Sequence, residues 1–166
     1  MRPPPGVLKL TVDRCSRGNP GMAVSGDILR DHRGVVLAAF GSFFGCQPIL
    51  YVELMAMCKG LELVAHMGYL TLEVELYSAM IVSWIHSQGH VRWEYAYLLR
   101  RVCSLISSST ILVRHVFHEA TSTANFLANW ACSRLVSRHF SSPQDLPIGL
   151  LGILHLDTQV VPHVRR

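Results

Sequence analysis

The chain has 166 residues, the length of one domain, and half of them are apolar, with a mean hydropathy of +0.30. That length can bury a core, and the composition excludes global disorder. Fifteen Lys and Arg against eleven Asp and Glu leave a net charge of +4 and a pI near 9.0, a mild basic bias that suits a polyanionic partner. Cys15, Cys46, Cys58, Cys103 and Cys132 form no C-x-x-C pair, which predicts reduced thiols and an intracellular setting, nucleus or cytoplasm undistinguished. No apolar run approaches the roughly 20 residues of a membrane span, and "MRPPPGVLKL" has no signal-peptide core.

Residues 1–6 form a stiff Pro-rich leader. "VLKLTVD" alternates apolar and polar side chains and predicts a first strand ending in Asp13. "CSRGNPG", from Cys15 to Gly21, has turn composition. "MAVSGDILRD" and "GVVLAAFGSFF" predict two more strands joined by a "DHRG" hairpin turn. From Leu50 to Met67 the apolar period becomes helical, with Gly68 as the stop.

"YLTLEVEL" predicts a fourth strand, after which Ser78 caps the short helix "AMIVSWIHS". "WEYAYLLRRVCSLI" reads as a helix, "TILVRHVF" as a fifth strand and "STANFLANWACSRLVSRH" as a closing helix. The domain so predicted spans residues 7–139, and residues 140–166 read as a loosely docked tail. The order β-β-β-α-β-α-α-β-α predicts an α/β domain: a five-stranded mixed sheet with helices on both faces.

Asp13 ends a strand, and Glu53 falls in the first turn of the long helix. Two carboxylates brought together there could share a divalent ion, and oxygen-only sites suit Mg²⁺ or Mn²⁺. A pair of such ions about 4 Å apart clamps the attacking and leaving oxygens of a phosphodiester. Acids at a strand end and a helix start are also ordinary structural features, the second favoured by the helix dipole.

The strings "KLTVDRCSRGNPGMA", "GDILRDHRGVVLAAF", "YVELMAMCKGLELVAHMGYLTLEVELYS", "RHVFHEATSTANFLANWA" and "SSPQDLPIGLLGILHLD" lie in this order from about Leu8 to Asp157. Together they resemble type-1 ribonuclease H domains, especially plant forms related to retrotransposon reverse-transcriptase tails. The resemblance implies a ribonuclease H-like fold and a monomer that binds RNA–DNA hybrids. It also implies hydrolysis of the RNA strand by two Mg²⁺ or Mn²⁺ ions held by four carboxylates.

Asp13 and, in "YVEL", Glu53 match the first two of those carboxylates. At the third, "LYS" puts Tyr77, and at the fourth, "ANFLA" puts Asn125. The resemblance therefore implies a weakened or lost activity. Asn keeps a carbonyl oxygen without the charge. A phenol, with a pKa near 10, is a poor Mg²⁺ ligand at neutral pH. Glu75 shares a strand face with Tyr77 but lies roughly 6.6 Å away along the strand, too far to substitute without a slip.

His118 matches a family residue near the scissile phosphate and would assist proton transfer; a solvent-exposed strand-end histidine is the plain alternative. Ser16, Arg17, Gly18 and Asn19 would touch sugar or phosphate, or else serve only the turn. Arg92, Trp93, Arg100 and Arg101 fit a phosphate-tracking strip or, as the favoured reading, a solvated helix face with Trp93 packed inward. The alternative to an enzyme is a non-catalytic retroelement-derived module that binds nucleic acid or protein.

Overall fold

The computed structural model describes residues 3–87, 89–116 and 122–159. Three long antiparallel strands open the chain: β1 (Leu8–Gly18), β2 (Gly21–Arg30) and β3 (Val36–Gln47). Helix α1 (Ile49–His66) leads to β4 (Thr71–Leu76), then α2 (Ala79–Ile85), α3 (Trp93–Ser107) and β5 (Thr110–His115). Helix α4 (Ser122–Arg134), β6 (Arg138–Phe140), a 3-10 turn (Pro143–Asp145) and α5 (Ile148–Gln159) follow. The sheet order is β5-β4-β1-β2-β3-β6, with β1–β4 and β4–β5 parallel and the other pairs antiparallel.

Strand alternation sorts side chains onto two faces. Leu8, Leu10, Val12, Leu29, Leu72, Val74 and Leu76 meet Leu54, Met57 and Leu61 of α1 and Leu98 and Val102 of α3 in one core. On the opposite face Ile28, Ala39 and Leu127 form a second core with Phe140, Leu146 and Leu150. Helix α4 comes very close to β2, because a Cβ placed on Gly26 would lie 2.2 Å from the Ala124 carbonyl oxygen. Only glycine admits that approach.

The mixed sheet with helices on both faces is as expected, but it has six strands. Leu135, expected inside the closing helix, takes φ 53°, a left-handed conformation that ends α4 at Arg134. The chain then turns back, and Ala39, Phe40 and Gly41 of β3 pair with Phe140, His139 and Arg138 of β6. A division at 139/140 passes through β6, and the expected loose tail instead carries Phe140, Leu146 and Leu150 into the core. Trp93 is 85% exposed rather than packed inward. The buried face of α3 is Tyr95, Leu98, Leu99 and Val102, and helical spacing puts residue 93 off it. Among the described residues no helix is long and apolar enough to cross a membrane.

Candidate active site

Asp13, expected to end the first strand, is the sixth of the eleven residues of β1, which runs on past the end of its neighbour β4 and presents successive residues to opposite faces. Asp13, 2% exposed, pairs in register with Gly26, where α4 packs. Arg14 turns to the α1 side, where its Nε lies 2.8 Å from Glu53 Oε2. Glu53 is the fifth residue of α1, not a first-turn acid, so the helix dipole does not explain it. It is 1% exposed, and its Oε1 accepts the Ser78 N–H at 2.8 Å. Burial pushes its pKa up, while Arg14 and the amides of Ser78 and Tyr77 pull it down and the Asp13 charge pushes it up. The net displacement is upward, so burial outweighs the partners. The Arg14 N–H donates to Asp13 Oδ1 at 2.7 Å.

Tyr77 follows β4 and is 7% exposed, so a phenol is buried beside the two acids. Burial first, then the Asp13 and Glu75 charges, raise its pKa well above the ordinary phenol value, and it stays neutral. Glu75 does not come round to replace a ligand, because its oxygens are held by Lys9 Nζ at 2.6 Å and Thr11 Oγ1 at 3.4 Å. Asn125 is exposed in the first turn of α4, next to the Ala124 carbonyl that meets Gly26. Its Oδ1 accepts the Asn129 Nδ2–H at 2.8 Å. Among the described residues no three His, Cys, Asp or Glu side chains converge as metal ligands.

The sequence pattern of the family described as reverse transcriptase-like matches residues 11–131. The chain belongs to this family of type-1 ribonuclease H-like domains. A protein of Arabidopsis thaliana provisionally named a ribonuclease H protein is 32% identical over 155 residues, covering 92% of this chain and 24% of that protein. The chain thus spans about a quarter of that relative's length. Ribonuclease H1 of the halophilic archaeon Halobacterium salinarum superimposes with a TM-score of 0.71 at 24% identity, over 77% of this chain and 98% of that one. LC11 ribonuclease H1, solved in complex with an RNA/DNA hybrid, gives 0.71 at 21% identity over the same shares. These structures establish the fold of the ribonuclease H-like domain.

The other expected site residues of this ribonuclease H-like domain fall unevenly. Ser16, Arg17 and Gly18 belong to β1 rather than to a loop, and the turn shrinks to Asn19–Pro20. Asn19 Oδ1 accepts the Ile49 N–H at 3.2 Å and so ties this turn to the start of α1. His115 ends β5 and is exposed; His118 lies outside the described residues. On α3, Arg92 pairs with Glu94 at 2.8 Å, and Arg101 with Glu62.

Sequence reasoning passed over Arg14 and Asp27. Asp27 is fully buried in β2, with Ser25 Oγ donating to its Oδ2 at 2.8 Å. Burial holds its pKa well above the carboxylate range, Ser25 and Lys59 opposing and Asp13 and Glu53 adding to the rise. The available signal was an acid on the strand face that carries Leu29. A cleft of about 400 Å³ under β6, lined by Phe40, Ser42, Lys59, Leu63, Arg138 and His139, includes none of these acids.

Proposed function

We propose that this domain binds RNA–DNA hybrid duplexes and cleaves their RNA strand far more slowly than a four-carboxylate nuclease, or not at all. One observation carries the reading: a buried, neutral Tyr77 stands beside Asp13 and Glu53, where the family resemblance expects a third carboxylate. Asp13 and Glu53 supply −2 against the +4 of two divalent ions, and their surroundings do not fit such a pair. The preorganised charge on which phosphoryl transfer depends is therefore depleted, and turnover falls by orders of magnitude. Family membership, the basic balance of the chain and the hybrid-bound state of the LC11 neighbour support the choice of ligand.

Hybrid binding in this fold rests on backbone and groove shape, with 2′-hydroxyls marking the RNA strand. Ser16, Arg17 and Gly18 at the far end of β1 and Asn19 in the turn that follows are the proposed contacts to the nucleic-acid backbone. His118 would approach the scissile phosphate. An intracellular setting, in keeping with cysteines that form no disulfide, and a monomeric state are part of this proposal.

Fluorescence anisotropy with a labelled hybrid and a DNA duplex of equal length tests the ligand. Preference for the hybrid, with affinity falling steeply between 50 and 200 mM salt as counterion release requires, is the expected result. Equal or absent binding of the two duplexes overturns the choice of ligand.

A further inference from the structure

We propose that Arg14 is a built-in cation that takes the electrostatic place of a metal at Glu53, making this end of the sheet stable without a divalent ion and resistant to one. This deepens the reading of Asp13 and Glu53 as the remaining acids of a nuclease centre and rests on it. The Arg14–Glu53 pair is 2.8 Å long, with side-chain exposures of 15% and 1%. An ordinary surface pair is solvated on both sides and contributes little, but here the carboxylate has almost no water. Its Oε1 takes the Ser78 amide, while its Oε2 makes no hydrogen bond and faces the guanidinium as a charge contact alone. A divalent ion on Oε2 would have to share that oxygen with a guanidinium, and like charges would then meet at close range.

Strand geometry explains why Arg14 does this. Asp13 faces α4, so the next residue on β1 faces α1, where Glu53 sits. The same backbone places the Arg14 amide on Asp13 Oδ1, 2.7 Å away. Arg14 thereby touches both acids, its amide donating to Asp13 and its guanidinium ion-pairing with Glu53. The lesion at this site is then threefold, comprising Tyr77, Asn125 and Arg14. Restoring the two acids alone does not restore an ion site.

Metal binding, not cleavage, gives the test. Thermal unfolding is followed with and without Mn²⁺ for the natural protein, for Arg14→Ala and Arg14→Gln, and for Arg14→Ala with Glu53→Gln. The natural protein should show no Mn²⁺ shift. Arg14→Ala should melt lower without metal, because Glu53 loses its partner, and should regain roughly 5–10 °C at about a hundred times the Mn²⁺ dissociation constant. Adding Glu53→Gln should remove that gain. Arg14→Gln keeps an N–H donor at the position of Nε without the guanidinium charge, and serves if Arg14→Ala does not fold.

Calorimetric titration with Mn²⁺ then compares Tyr77→Asp with Asn125→Asp against the same pair plus Arg14→Gln. At least tenfold tighter binding in the triple variant is expected. Equal Mn²⁺ shifts in natural and Arg14 variants, or equal affinities of the double and triple variants, overturn the proposal. Hybrid affinity of the natural protein is measured separately. Loss of that affinity with these metal results intact sinks the proposed function and leaves the Arg14 inference standing.

Discussion

Replacing Gly26 by alanine tests the packing that brings α4 to Asp13. A methyl at residue 26 would lie 2.2 Å from the Ala124 carbonyl oxygen and 2.4 Å from the Ala128 nitrogen, whereas ordinary contact begins near 3.4 Å. Both obstacles are helix backbone, so no side chain can rotate away, and α4 must retreat by roughly 1 Å from a close-packed face. That face contains Ala124, Leu127, Ala128 and Ala131, each 0% exposed. Overpacking of this kind costs about 3 kcal/mol, the upper end of the usual range, because the colliding atoms cannot repack. In a chain of this length the loss lowers Tm by roughly 6–12 °C. Circular dichroism melting gives the answer, with Gly152→Ala as control. Gly152 in α5 has nothing within 4 Å, so its methyl should stabilise by about 0.5–1 kcal/mol. A Gly26→Ala loss below about 2 °C would refute the close approach of α4 and β2 and, with it, the placing of Asn125 near Asp13.

Phe140, 2% exposed on β6, should lose about 3–5 kcal/mol on change to alanine, read from the urea midpoint; a loss under about 1 kcal/mol would mark the tail as loosely docked after all. Asp27→Asn should stabilise the protein at pH 7 and above. The folded pKa of Asp27 is raised, so its favourable contribution is complete below the unfolded value near 3.9 and declines as pH rises through the folded value; the Tm gap between variant and natural protein should therefore open with rising pH and close near pH 3. A gap that does not change with pH would count against a neutral buried carboxyl. Among the thiols, exposed Cys46 should react with a thiol reagent at pH 8 well before Cys58, whose pKa burial pushes up to about 11; similar rates would contradict that burial.

The framework was legible because it rests on short-range periodicity. The alternation of Leu8, Leu10 and Val12, the helical spacing from Leu50 to Val64 and the Ser78 cap each follow from local geometry, and each recurs in the structure. The errors came where a distant partner decides. β6 exists because Leu135 ends α4 and β3 offers an open edge, and neither is visible in "SRLVSRHF". Trp93 lies outside because the buried face of α3 is chosen by what α1 presents, not by the residue's own apolarity.

The candidate site divides in the same way. Asp13, Glu53, Tyr77 and Asn125 could be picked out as positions, because motif strings mark them. That Glu53 is paired with Arg14 depends on α1 packing over β1, which no local pattern encodes. An arginine after a strand-end acid reads as an exposed charge until the helix is in place. Asp27 stands in a strand that apolar periodicity marks without singling out its acid, although an acid on the face carrying Leu29 must either be neutral or paired.

The central claim is a hybrid-binding domain with too little charge to cut. Single-turnover cleavage of an end-labelled RNA–DNA hybrid in Mg²⁺, at protein concentrations that saturate binding, addresses it most directly. The account predicts that bound hybrid stays intact over times in which an ordinary enzyme, at about 1 s⁻¹ or faster, would consume it. Cleavage by the natural protein at such a rate, abolished by Asp13→Asn, would show that Asp13 and Glu53 suffice beside Tyr77 and Arg14, and would contradict the account.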